Sequence, residues 1–143
     1  MKPLFTLLLC LLPLLTDAQV QLYDSWESAQ KAAIGTDKDI LIVLTGKEWC
    51  RPCKALEAEI MQNPEFIAYA QEHLVIFEVD VTIASIGKPN SKAGKLHKTY
   101  SEKHNAPEFP SMILTDQAGN EKLKYVEKPT FEAFMAALAS VHP

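Results

Sequence analysis

The sequence predicts a single α/β domain with a central mixed sheet and helices on both sides. Two continuous apolar runs, Asp39 to Leu44 and Leu74 to Val81, read as strands buried on both faces. A helical stretch separates them, so they should run parallel. Two further strand-like runs, Phe109 to Asp116 and Glu121 to Val126, flank the turn Gln117-Ala118-Gly119-Asn120 and should form a hairpin.

Length and charge narrow the class. A chain of 143 residues with 48% hydrophobic content can build one core. Its formal net charge is -4, and no basic stripe marks a nucleic-acid surface. No internal repeat or linker divides it.

Residues 1–18 read as a signal peptide. Lys2 gives a short positive start, Leu4 to Leu15 an apolar stretch, and Thr16-Asp17-Ala18 a small-residue end. The stretch is short of the about 20 residues that span a bilayer, which leaves an uncleaved anchor as the alternative. Leu9 before Cys10 does not suit a lipoprotein signal. The domain proper is therefore expected over residues 19–143, exported to the periplasm or cell exterior.

Gln19 to Leu22 is a short extended lead-in. Ser25 can cap a helix whose apolar face is Trp26, Ala29, Ala33 and Ile34, ended by Gly35. Trp26 reads as core. The strand from Asp39 runs through Thr45-Gly46-Lys47-Glu48 to Trp49-Cys50-Arg51-Pro52-Cys53-Lys54. A helix from Lys54 to Gln62 follows, with Leu56 and Ile60 inward and Glu57 and Glu59 on the solvated side. Asn63-Pro64 interrupts it and starts another helix, with Phe66, Ile67 and Ala70 inward. After the second strand, residues 82–90 form a loop. Ser91 to His104 is helical and basic, with Leu96 and Tyr100 inward and Gly94 as a weak point. Its lysines, with Lys88, read as a solvated face or as a dock for an acidic partner. After the hairpin, Pro129 and Thr130 open a last helix on the stripe Phe131, Phe134, Met135 and Leu138.

The chemistry centres on Cys50 and Cys53. A Cys-x-x-Cys pair between a strand and a helix reads as a redox dithiol. Unpaired N–H groups and aligned dipoles at the helix start favour a thiolate at Cys50, lowering its pKa from about 8.5 toward neutrality. Arg51 and Lys54 add positive charge. Cys50 is then the expected attacking thiol and Cys53 the resolving one. A structural disulfide is the poorer reading, because so short a loop constrains the unfolded chain very little. Zinc would need four ligands, and no second Cys-x-x-Cys is present. A metal carrier using the pair with a histidine, or a chaperone-like binding module, stays open. Trp49 is expected at the mouth of the pair.

Over essentially all of residues 19–143 this sequence resembles the thioredoxin family. The likeness rests on Trp49-Cys50-Arg51-Pro52-Cys53-Lys54, on Phe109-Pro110-Ser111 and on the element order. Within the family it is similar to secreted bacterial thioredoxin-like proteins and to periplasm-facing domains of transmembrane electron-transfer reductases. The resemblance implies a thioredoxin-like fold, a cis Phe109–Pro110 bond, and a substrate surface of Trp49, Arg51, Pro52, Phe109 and Pro110. It implies a thiol–disulfide oxidoreductase that needs no cofactor and works as a monomer on protein disulfides. A membrane electron donor or thiol reductase would recharge it. The Arg-Pro spacer, with proline before the second cysteine, resembles reductants more than oxidants or isomerases, which remain the alternative.

The sequence departs from the family where thioredoxins bury an acid and a neighbouring lysine. Those positions are expected at Leu44 and Ile76. Losing both members of a buried ion pair is self-consistent, since one alone would be costly. Glu48 or water is left as the candidate to deprotonate Cys53.

Overall fold

The computed structural model describes residues 19–142. The expected leader, Met1 to Ala18, lies outside them. Five strands, β1 (Leu22–Tyr23), β2 (Asp39–Thr45), β3 (Leu74–Asp80), β4 (Ser111–Thr115) and β5 (Glu121–Tyr125), form one sheet in the order β1-β3-β2-β4-β5. β3 runs parallel to both β1 and β2, whereas β4 is antiparallel to β2 and to β5. The helices are α1 (Trp26–Ala33), α2 (Arg51–Leu56), α3 (Pro64–His73), α4 (Lys92–His104) and α5 (Phe131–Val141). The parallel pair and the hairpin are as the sequence predicts.

β2 is central, and all its residues are buried. Side chains alternate across the pleat, so the strand feeds two cores. Leu41 and Val43 meet Leu56 and Ile60, Phe66 of α3, and Phe134 and Leu138 of α5. Ile40, Ile42 and Leu44 meet Ala29 and Ala33 of α1 and Tyr100 of α4. Neither face reaches solvent, which is why the run lacks polar alternation.

Four helices start on side-chain caps: Ser25, Asn63, Ser91 and Thr130 each accept a backbone N–H of the first turn. Ile34 is not part of the α1 stripe. Its ψ of 129° takes the chain out of the helix, and it is 63% exposed. The helix after the dithiol begins at Arg51 rather than Lys54, because Cys50 itself caps it and Pro52 fits the first turn. It continues as a π-helical turn, Glu57–Met61, in which Gln62 N–H donates to the Glu57 carbonyl at 3.0 Å. The wider turn lets the adjacent Ile60 and Met61 both enter the core.

At the end of the sheet remote from the cysteines, Asp39 is buried. Lys122 Nζ donates to its two oxygens at 2.9 and 2.7 Å, and His142 Nε2 lies 2.9 Å from it. The Tyr69 hydroxyl donates to the Leu138 carbonyl at 3.0 Å, fastening α3 to α5. Burial, with the Asp39 charge second, pushes the Tyr69 phenol up to about 12. The unfolded chain gives up this proton near pH 10 (about 10 for a free tyrosine), while the fold keeps it until about 12. The contribution is fully present below about pH 10 and is lost as pH rises through about 12. Chemical denaturation across this window should show falling stability in the native sequence and a flatter profile in Tyr69→Phe. Tyr100, also raised by burial, leaves a residual slope.

Candidate active site

The site begins where β2 ends. Val81 N–H donates to the Thr45 carbonyl at 2.8 Å and carries the parallel pairing one step past β3. The chain then turns back, with Trp49 N–H and Cys50 N–H both directed at the Gly46 carbonyl, at 3.2 and 2.8 Å. The Trp49 ring lies over Gly46. A Cβ there would sit 2.5 Å from the indole carbons, so only glycine permits this approach. The indole N–H donates to the Val81 carbonyl at 2.6 Å.

This corner delivers Cys50 to the start of α2. Cys50 and Cys53 form a disulfide with their Cα atoms 5.2 Å apart. Cys53 N–H donates to Cys50 Sγ at 3.2 Å. Cys50 retains 6% exposure, whereas Cys53 is fully buried. On its other side Cys50 Sγ lies 3.8 Å from the Phe109 carbonyl oxygen. The Phe109–Pro110 bond is cis. The Trp49 ring meets Phe109 edge to face at 5.2 Å. Among the residues expected at the substrate surface, Trp49 and Phe109 thus touch, and Pro110 is buried next to Phe109. Arg51 and Pro52 lie on the exposed first turn of α2, outside that aromatic contact.

Charge gathers on the α2 side of the sheet. Lys47 Nζ meets Glu78 Oε1 at 2.6 Å, and Lys47 N–H donates to Asp80 at 3.1 Å. Burial lifts the Glu78 carboxyl above its ordinary value even against Lys47, with Glu57 and Asp80 adding repulsion. Burial alone would lower Lys47, but the bond to Glu78 and the charges of Glu57 and Asp80 raise it. Leu44 is on the opposite face. The register corrects its expected neighbour: Leu44 pairs with Val79, whereas Ile76 pairs with Leu41 on the α2 side. Its partners are Val79 on β3 and Ser111 on β4, neither of them charged, so no ion pair sits at Leu44. Glu48 is exposed, and its carboxylate accepts Ile83 N–H at 2.6 Å.

His97, on α4, joins the site without having been singled out in the sequence. Its ring stacks on Phe109 at 4.3 Å with 13° between planes. Its Nε2 is buried and has no hydrogen-bond partner among the described residues. Burial holds its pKa below the ordinary histidine value. A cavity of about 300 Å³ opens here, lined by Trp49, Val81, Ile86, Pro89, His97 and Phe109. Gly94 was the available signal. A Cβ on it would lie 2.5 Å from the Lys88 carbonyl oxygen, so this helical glycine lets the loop before α4 pack against it. Among the described residues no three His, Cys, Asp or Glu side chains gather to hold a metal ion.

A Cys-x-x-Cys disulfide at a helix start, beside a cis-proline at the same end of a mixed sheet of this order, defines a thioredoxin-fold redox domain. A sequence model of the thioredoxin-like domain matches residues 26–142. The chain belongs to this thioredoxin-like disulfide oxidoreductase family. It is 30% identical over 128 residues to the thioredoxin-related protein DsbJ of Chlamydia pneumoniae, covering 85% of this chain and 36% of that protein. It is 27% identical over 99 residues to the disulfide bond reductase DsbH of the same organism, covering 67% of this chain and 58% of that protein. The matches therefore span about a third of the first of these relatives and just over half of the second. Among solved structures, a DsbH oxidoreductase superposes with a TM-score of 0.67 at 22% identity, over 85% of this chain and 83% of that one. A thioredoxin from Thermus thermophilus does so with 0.66 at 14% identity, over 86% and 87%. At these identities the superpositions show the fold.

The Gly46–Trp49 contact gives a test of the corner. Gly46→Ala should force the indole away, break its bond to Val81 and lower stability by about 1–3 kcal/mol, the usual range for overpacking. The expected readouts are a lower thermal midpoint and altered near-ultraviolet circular dichroism. An unchanged spectrum and midpoint would mean that the indole does not lie over Gly46.

Proposed function

We propose that this chain is an exported thiol–disulfide oxidoreductase that reduces protein disulfides through Cys50 and Cys53. The observation that carries the reading is the asymmetry of the pair. Cys50 retains exposure and receives the Cys53 N–H, whereas Cys53 is fully enclosed. In the reduced protein that N–H, at the positive end of the helix, favours negative charge on Cys50 sulfur.

The Cys50 thiolate attacks one sulfur of a substrate disulfide, forms a new S–S bond and expels the other sulfur as a thiolate. Cys53, once deprotonated, attacks Cys50 sulfur. The Cys50–Cys53 disulfide forms and the second substrate thiolate leaves. The substrate gains two electrons and the protein loses two. A thiol reductase or membrane electron donor must return them. Trp49, Arg51, Pro52, Phe109 and Pro110 form the surface that receives the substrate. Export is supported by the pattern of residues 1–18. The reducing direction is supported by the Arg-Pro spacer and by the name of the relative DsbH, a disulfide bond reductase.

Cys50→Ser is expected to abolish insulin disulfide reduction. Cys53→Ser is expected to accumulate a mixed disulfide with substrate, visible on non-reducing gels. Full activity in Cys50→Ser would overturn the assignment, and trapping only by Cys50→Ser would exchange the two roles. Direction is tested by equilibrating the pair with glutathione or dithiothreitol. A potential near the about -270 mV of thioredoxin is expected, and one above roughly -180 mV would assign oxidation or isomerisation instead.

A further inference from the structure

The loop between β3 and α4 is held by hydrogen bonds, yet it turns apolar side chains outward. The Thr82 carbonyl accepts Ser85 N–H at 3.0 Å and Ile86 N–H at 2.8 Å, which makes residues 82–86 a single helical turn. Gly87, with a φ of 71°, ends it. Residues three apart share one side of such a turn, and here they are Ile83 and Ile86. They are 61% and 46% exposed, two of the four large apolar side chains that stand exposed among the described residues. The Glu48 carboxylate accepts Ile83 N–H, and Val81, just before the turn, takes the Trp49 indole N–H. The turn is thus fixed to the approach loop of Cys50. Positive charge surrounds it. Residues 82–106 carry five lysines and one acid, Glu102, in a chain whose net charge is -4. Lys92 pairs with Asp24, and Lys103 lies over the Trp26 ring. Lys88, Lys95 and Lys98 are exposed and make no ion pair among the described residues.

A lone exposed isoleucine is ordinary, but a fixed pair beside unpaired lysines has the composition of a segment that sits in a bilayer interface. We propose that Ile83 and Ile86, with Lys88, Lys95 and Lys98, form a membrane-surface contact selective for anionic lipid. The isoleucines enter the boundary between headgroups and acyl chains, and the lysines lie over lipid phosphates. A bilayer suits this charge better than a folded acidic partner does. The three ammonium groups are separate, flexible point charges spread over a loop and a helix, with no arginine fork among them to bind particular carboxylates. The inference goes beyond the redox reading and does not require it. Joined to that reading, it brings Cys50 toward the headgroups, where a membrane electron donor can reach it.

The test is co-sedimentation of the exported chain, beginning at Gln19, with vesicles of phosphatidylcholine alone or mixed equally with phosphatidylglycerol. The mixed vesicles should bind it roughly tenfold or more tightly than phosphatidylcholine alone. Salt at roughly 1 M, which screens charges within about 3 Å, should release it. Lys88→Gln, Lys95→Gln and Lys98→Gln should each weaken binding roughly fivefold, the worth of a lysine near an anionic surface. The double variant Ile83→Asn, Ile86→Asn should weaken it roughly tenfold or more at unchanged charge. All these positions are exposed, so the fold is spared. Ile86→Trp should add an indole emission that shifts to the blue on mixed vesicles and is quenched by brominated acyl chains. No binding to either vesicle at low salt, equal binding to both, or binding indifferent to the isoleucine pair would overturn the proposal. Capture by polyglutamate without vesicle binding would overturn it too and give the face to an acidic protein. A chain that binds the mixed vesicles but fails to reduce insulin would overturn the oxidoreductase reading and leave the membrane contact standing.

Discussion

The site depends on one hydrogen bond, from the Trp49 indole N–H to the Val81 carbonyl. At 2.6 Å it joins the exits of β2 and β3, the two strands whose apolar runs build the centre of the sheet. Because the indole must cross Gly46 to make it, the chain turns sharply and Cys50 arrives as the cap of α2. The same ring then presents an edge to Phe109, and Phe109 offers its own face to His97. A continuous row of rings thus runs from the approach loop to α4. The disulfide is placed by strand pairing and aromatic contact together, and short connections give it little freedom.

The two faces of the sheet carry different electrostatic environments. On the α1 and α4 side, Leu44 sits in the cluster that holds Ile42, Val79 and Ile113, with the buried Ser111 as its partner on β4 and no charged group beside it. On the α2 side, Glu78 is held next to Lys47, with Glu57 and Asp80 close enough to shift its titration. The π-helical turn begins at Glu57, four residues after Cys53. Charge near the dithiol is therefore displaced from the strand position where thioredoxins bury an acid to a half-buried cluster across the sheet. Breaking that cluster from one side would strand a partly buried charge, which explains why lysine and glutamate come as a pair.

Much of this was legible in the sequence, for reasons that can be named. Continuous apolar runs signalled β2 and β3 because a central strand needs no polar alternation. Gly119 and Asp116 signalled the hairpin, where a φ of 85° and a carboxylate bonded to Ala118 and Asn120 N–H shape the turn. The dithiol was legible because its spacing is local. What escaped depends on register or on close approach. The neighbour of Leu44 cannot be assigned without the offset between β2 and β3, and the π-helical turn, one residue longer than an α-turn, has no compositional mark. Ile34 looked like a fourth stripe residue until the backbone left the helix at that position. His97 is one of two histidines in a lysine-rich helix, and only the fold brings it to Phe109.

The surroundings of the reactive sulfur are set by the backbone. Cys50 meets the start of α2 on one side and the Phe109 carbonyl on the other, both of them backbone features. Those dipoles are held in place by the Trp49 corner, which delivers Cys50 to the start of α2. The neighbouring groove is lined by Trp49 and Phe109 on one side and by the loop before α4 and α4 itself on the other. Trp49 and Phe109 belong to both, since the Trp49 corner delivers Cys50 and the Phe109 carbonyl faces it, while both rings line the groove.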